Sequence, residues 1–324
     1  MSSDPDSFLH HCQSILKCRA VFGKIVILCE GNIQSYESGR SPQTYKKQAR
    51  MADANFYNAC VPKSWTQHRP EFFTCGGRGN VLKTYFELLK LHEDNPQNSY
   101  LNPDNLFAIV DCDFTPQEIF DYTYSTIDEI FHSLYDGLKA NSHNLRKHRI
   151  FVTGFVHKEC YFLIPELKEV FNCFLERPYY LYYRSSQTAL NLLDLQGLYL
   201  RMATELDQDA DLMNHWNHVH PRIPTNFPCD YTTPKQFSLQ WKKIVQECQD
   251  IQRKSDFIHT LLAICKAKQY WENCIVPPPD YPLDIQTYRD SLILAISRFY
   301  SENSDDPRYH IPFLLRSLQE LRSQ

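Results

Sequence analysis

In LFAIVDCDF, residues 106–114, five apolar residues run straight into Asp111 and Asp113. Alternate side chains of an extended chain share one side, so both carboxylates can face a single site. Their mutual repulsion calls for a cation. A carboxylate pair of this kind suits Mg²⁺ or Mn²⁺, which keep several waters and recruit phosphate oxygens. KIVILCEGN, residues 24–32, ends in the same manner: an apolar run gives way to Glu30 and then Gly31. If the two runs are neighbouring parallel strands, three acids converge at the carboxyl edge of a sheet, where such sheets bind their ligands. A plainer reading makes them strand caps and turn formers. It serves one acid well, but an acid–glycine turn and a D-x-D together less well.

The elements that must carry these acids follow from periodicity. Strands are expected at 25–29, 71–75, 106–110 and 149–155. Helices are expected at about 6–19, 45–60, 81–91 and 116–140, the last with Ile119, Phe120, Thr123, Ile127, Ile130, Leu134 and Leu138 on one stripe. Thr115, Pro116 and Glu118 read as a capping box that starts it. Strands alternating with helices, and near-continuous apolar strands, predict an α/β domain with a parallel sheet. Past residue 165 the pattern is helical, at 165–176, 186–206, 235–253, 255–272, 284–301 and 311–321. We therefore expect an α/β domain over 1–164, with an N-terminal helix and an insertion near 32–51, and a helical domain over 165–324. A polar loop at 35–44 and a proline-rich break at 276–282 punctuate the chain.

Composition narrows the setting. The 324 residues are 43% hydrophobic and 22% charged, as in a globular protein, and the net charge is −4. Lys and Arg nearly balance Asp and Glu in both halves, so any nucleic-acid site must be a local patch or depend on a metal. No apolar run approaches the roughly 20 residues of a membrane span. The 12 cysteines form no C-x-x-C pair and several sit in apolar runs. They read as buried thiols of a cytoplasmic protein, and no signal peptide is evident at the start.

Strand–Glu–Gly followed by strand–Asp–x–Asp resembles the Toprim fold of topoisomerases, primases and OLD-type nucleases. The resemblance covers about residues 24–164 and is nearest the OLD-type nucleases. It implies that Glu30 acts in proton transfer, that Asp111 and Asp113 bind Mg²⁺, and that Glu159, in FVTGFVHKECYFL (151–163), joins the metal site. ADANFYNACVP (52–62), with Asp53, Phe56 and Tyr57, is similar to the acid and aromatic pair such proteins carry on the first helix, though about 20 extra residues precede it here. The implied activity is Mg²⁺-dependent phosphodiester cleavage of DNA or RNA, in a setting of anti-phage defence. The implied partner is nucleic acid, with the helical region open to a protein partner or a second copy. A catalytically idle Toprim-like binding module is one alternative.

A phosphatase is another, since VDCDFT fits the D-x-D-x-T motif of the haloacid dehalogenases, with Asp111 as nucleophile, Asp113 as acid–base residue and Lys158 on phosphate. Against it stand the long helix expected directly after Thr115 and the third place of the D-x-D strand. Secondary signals are weaker. TCGGRGNVLK (74–83) puts Gly76, Gly77 and Arg78 at a strand-to-helix turn that could cradle phosphate, or is simply a tight turn capped by Asn80. NLRKHRIF (144–151) is a basic patch that more often marks a solvated edge. RPYYLYYRSS (177–186) could stack on bases but reads first as packing. His215, His218 and His220 lack the companions of a closed zinc site.

Overall fold

The computed structural model describes residues 5–31, 52–176, 194–228, 231–275, 277 and 284–322. The insertion at 32–51, the aromatic cluster at 177–186, most of 276–282, the start of the helix expected at 186–206 and the side chain of Asp53 lie outside the described residues. The chain opens with α1 (Pro5–Leu16), a 3-10 turn at Arg19–Val21 and β1 (Val26–Cys29). There follow α2 (Ala52–Ala59), β2 (Glu71–Thr74), α3 (Arg78–Asp94) and β3 (Leu106–Val110). Then come α4 (Ile127–Leu134), a small hairpin of β4 (Tyr135–Asp136) and β5 (Lys139–Ala140), the short α5 (Ser142–Leu145) and β6 (Ile150–Val152).

Four strands form one parallel sheet in the order β2-β1-β3-β6. Every residue of β1 and β3 is buried, as their unbroken apolar runs require of strands covered on both faces. The chain leaves β1 for β2 on one side, then crosses back to β3 and on to β6. Its direction of winding reverses between β1 and β3, which opens a crevice at their carboxyl ends. In register, Cys29 lies opposite Ile109. Glu30 and Asp111 therefore leave adjacent strands at the mouth of that crevice.

The helix expected over 116–140 is a misreading. Residues 116–126 fold back on themselves: Ile119 N–H donates to Ser125 O at 2.8 Å, Ile127 N–H donates to Gln117 O at 3.0 Å, and Glu118 bridges Thr126. Asp121, near the tip, has φ of 61°. The apolar stripe misled because Tyr122, Thr123, Tyr124 and Thr126 are β-branched or aromatic residues that gain little from a helix. The expected box at Thr115 does not cap a helix. Thr126 does, with its Oγ1 accepting the Glu129 N–H at 3.1 Å while the Glu129 carboxylate accepts the Ser125 N–H at 2.8 Å. The returning segment also closes the outer edge of β6, because the Tyr122 hydroxyl accepts the N–H groups of Arg149 and Ile150 at 2.9 and 3.2 Å.

The second half is helical where described: α6 (Lys168–Glu176), α7 (Leu195–Glu205), α8 (Ala210–Val219), α9 (Pro234–Glu247), α10 (Ile251–Leu262), α11 (Lys268–Cys274), α12 (Ile285–Glu302) and α13 (His310–Arg322). The single helix expected at 255–272 is two, parted at 263–267, and α8 was not anticipated. One apolar core runs from the sheet into these helices, with α12 packed on α2 and α13 on β5. Among the described residues, no helix is long and apolar enough to cross a membrane. The cysteines whose side chains the structure describes are free thiols, and all but Cys248 are buried.

Candidate functional site

Glu30 stands one residue past β1 and does not continue the backbone ladder. Its Oε1 instead accepts the backbone N–H of Asp111 at 2.7 Å. The backbone N–H of Arg78, first residue of α3, supports the same carboxylate, which thus sits where a helix N-terminus favours negative charge. Gly31 and Gly76 then exchange backbone hydrogen bonds of 3.0 and 2.9 Å. Their φ values of 154° and 88° are conformations a side chain would strain. The acid–glycine turn after β1 and the glycine turn after β2 are therefore one paired structure that presents Glu30.

The electrostatics separate the three acids. Asp111 is half-buried, and its Oδ1 is sealed from solvent with no hydrogen-bond partner. Burial pushes the Asp111 carboxyl well above the ordinary range, the Glu30 charge adds to this, Lys158 opposes it, and Glu159 and Asp113 raise it further. Glu30 is also pushed up, chiefly by burial, with the Asp111 backbone bond opposing and the Asp113 charge adding. Asp113 goes the other way. A hydrogen bond from His157, whose Nε2 lies 3.4 Å from Oδ1, lowers it against the effect of burial, with help from Arg78. Glu159 is buried on the 3-10 turn Lys158–Phe162 just past β6, and it meets the others through its repulsion of Asp111.

Backbone groups of the D-x-D segment are tied by side chains from several elements. Cys112 N–H donates to Thr153 Oγ1 at 3.0 Å, and that hydroxyl donates to Phe155 O at 2.7 Å. Cys112 O and Asp113 O each accept from Arg222, at 2.7 Å in both cases. Thr115 O accepts from Arg78 Nη2 at 2.7 Å. With its backbone so fixed, the segment offers the Asp111 and Asp113 carboxylates for chemistry, an arrangement that preorganises a site.

The residues proposed to cradle phosphate serve this framework. Gly76 N–H is used by Gly31, and Arg78 is buried with one nitrogen on Thr115 O; its Nη1 is enclosed without a partner. Asn80 does not cap α3. Gly77 does, with no side-chain bond. A Cβ built on Gly77 or Gly79 would meet nothing within 4 Å, so the surface ahead of α3 is open to an approaching group. Phe56 and Tyr57 are fully buried on α2, and the Tyr57 phenol lies within electrostatic reach of Asp111 and Glu30.

Other sequence signals resolve into packing. His215 pairs with Asp211 at 2.9 Å, His218 lies 4.0 Å from Asp128, and His220 faces the Trp216 carbonyl. In the basic patch His148 is buried, Arg149 lies over the Phe107 ring at 4.8 Å, and Arg146 is 3.9 Å from Glu320.

Among the described residues, no group of three or more His, Cys, Asp and Glu side chains is gathered closely enough to hold a metal ion by itself. The geometry offers instead two carboxylates, Glu30 and Asp111, both raised chiefly by burial, around an unpartnered buried oxygen of Asp111. That fits Mg²⁺ held by one or two carboxylates with waters and phosphate oxygens completing its shell, and does not fit a closed all-protein cage. Sequence reasoning missed Thr153 and Arg222. A threonine ending the apolar run of β6 was a usable signal. Arg222, in HPRIP, carried none, because only the fold brings it to the loop. Compared with protein-family models, with curated proteins and with solved structures, the chain matches none.

Proposed function

We propose that the carboxylates at the crevice between β1 and β3 form a Toprim-like site for Mg²⁺-dependent cleavage of phosphodiesters in nucleic acid. The observation that carries this reading is the Glu30–Asp111 pair: two acids at the switch point of a parallel sheet, both raised by burial, one with an unpartnered buried oxygen. Such a pair gains most from a cation and a phosphate oxygen arriving together. A bound Mg²⁺ would supply charge to offset that of the scissile phosphate. Glu30 and Asp111 would hold it, and Asp113 would face it while accepting from His157. Glu30, the acid anchored by two backbone N–H groups, is placed to move a proton, and Lys158, whose charge acts on Asp111, and Arg78, whose charge acts on Asp113, would add positive potential at the site. The chain's overall negative charge supports a site in which the metal, not a basic surface, brings the polyanion in.

One observation favours a second reading, the phosphatase. The fold-back at 116–126 directly after Thr115 removes the long helix that argued against a D-x-D-x-T phosphatase, although the D-x-D strand is still third in the chain. Plasmid DNA, single-stranded DNA and RNA, incubated with Mg²⁺, Mn²⁺ or chelator, separate these readings when p-nitrophenyl phosphate is run alongside. Metal-dependent cutting of a polynucleotide that Asp111→Asn abolishes is the expected result. Hydrolysis of the monoester alone would transfer the site to a phosphatase. Silence on all substrates, with no heat of Mn²⁺ binding, would leave a binding module.

A further inference from the structure

We infer that Arg222, from the helical half, is a positioning residue that sets the geometry of the carboxylate loop. The residue is 3% exposed. Nη1 donates to Cys112 O and Nη2 to Asp113 O, both at 2.7 Å, whereas the Asp128 carboxylate is 3.5 Å away. The guanidinium is therefore placed for the two loop carbonyls more than for an ion pair. A planar fork can bridge successive carbonyls, which an ammonium cannot do with the same geometry. Drawing both carbonyl oxygens toward Arg222 turns the negative ends of those peptide dipoles to one side and fixes the backbone from which the Asp111 and Asp113 carboxylates project. The residue ends the 3-10 turn His220–Arg222, with Pro221 inside that turn and a buried Ile223 after it, so its own position is stiff.

Removing the arginine leaves the Cys112 and Asp113 carbonyls without that donor, a loss local to the loop, whereas general destabilisation is spread over the core. A role in stability alone and a role in positioning therefore make different predictions. The effect of Arg222 on metal affinity rests on the metal reading above; its hold on the loop does not.

The test uses the full chain. Arg222→Lys and Arg222→Met are compared with wild type and with Leu318→Ala, a core truncation on α13 that lowers stability away from the loop. Hydrogen exchange is followed by mass spectrometry on peptides covering 110–116 and 25–29, and Mn²⁺ affinity by calorimetry. We expect exchange at 110–116 to rise about tenfold or more in both Arg222 variants, the scale of losing charge-assisted hydrogen bonds, with 25–29 unchanged. Mn²⁺ affinity should fall about tenfold in Arg222→Lys although its charge is kept. Leu318→Ala should leave local exchange and affinity as in wild type. Wild-type exchange at 110–116 in Arg222→Lys and Arg222→Met would overturn the inference. If wild type binds no Mn²⁺, the metal reading fails, and the exchange result still decides for or against Arg222.

Discussion

The Glu30 carboxylate accepts the backbone N–H of Asp111 at 2.7 Å, so a side chain from one strand extends the ladder of the next by one rung. The ladder proper stops at Cys29 and Ile109. This single bond places a carboxylate against the start of the D-x-D segment and couples the charges of Glu30 and Asp111. Both acids are then held in a site whose burial disfavours their ionised forms.

Asp111→Asn should stabilise the metal-free protein. Each raised carboxyl binds its proton more tightly in the folded chain than in the unfolded one. The contribution of these groups to stability therefore falls as pH rises from the ordinary 3.8 of Asp111 and 4.5 of Glu30 up through their raised values. An amide at position 111 removes the repulsion from Glu30 and the Asp111 share of that slope. Urea unfolding in chelator at pH 7 should show a gain of roughly 1–3 kcal/mol, the cost of a buried polar group left without compensation. Stabilisation by Mn²⁺ should disappear in the same variant. A loss of stability in the metal-free variant would mean that Asp111 has a partner in solution.

Thr153→Val should loosen the loop from the other side. Thr153 Oγ1 takes the Cys112 N–H and passes its own proton to Phe155 O. Valine matches the shape but leaves the donor and the acceptor unpaired, a cost of about 1–3 kcal/mol. Thr153→Ser keeps the oxygen and should recover most of it. Thermal unfolding of the three proteins is sufficient, and a loss in serine with none in valine, which keeps the methyl, would put the effect in methyl packing.

How much of this was legible in advance varies with the range of the forces involved. The four strands were, because burial on both faces writes itself as apolar runs. Glu30, Asp111 and Asp113 were candidates for the same reason: a polar residue at the end of such a run must meet water or a site. The segment 116–126 was not. Its apolar residues keep a helical spacing, yet Tyr122 is wanted at the edge of β6 and Ile119 in the core, while Phe120 is left 74% exposed. Tertiary demand overrode local period there. Arg222 was invisible because its partners are backbone carbonyls about a hundred positions away, which no local pattern encodes.

Gly154→Ala should be strongly destabilising, and through one neighbour. A Cβ at Gly154 would overlap the ring of His310. That ring cannot yield easily. It is buried, Nε2 donates to Leu138 O at 2.9 Å, and Nδ1 accepts from the Tyr161 hydroxyl at 2.9 Å, which in turn accepts the Gly154 N–H at 3.0 Å. Burial lowers the imidazole to about 3, so it remains a neutral donor–acceptor link at ordinary pH. Overpacking should cost about 3 kcal/mol or more. His310→Ala opens the space and costs about 2–4 kcal/mol through its own cavity and lost bonds. The double variant should fall short of the sum by at least about 1 kcal/mol, because the clash is gone. Strict additivity in urea unfolding would show that the two residues do not meet as described.

Glu166 should make the protein acid-sensitive at one identifiable place. Its carboxylate meets His259 Nε2 at 3.0 Å, Ser255 Oγ at 2.5 Å and Arg308 Nη1 at 3.1 Å. Burial would raise this carboxyl, but the hydrogen bond and charge of His259, with Ser255, bring it down to about 2. A carboxyl depressed in the folded state contributes stability that is full above its unfolded value of 4.5 and is lost as pH falls toward about 2. The contribution is on the order of 3 kcal/mol at pH 6 and should vanish across that window. Measured by denaturant unfolding, wild type should exceed Glu166→Gln by that margin at pH 6, and the two curves should converge as pH falls from 4.5 toward 2. A gap that stays constant through this range would assign the loss to packing of the amide. Convergence would identify the proton on Glu166 as the cause, and with it the tie between α10 and the segment leading into α13.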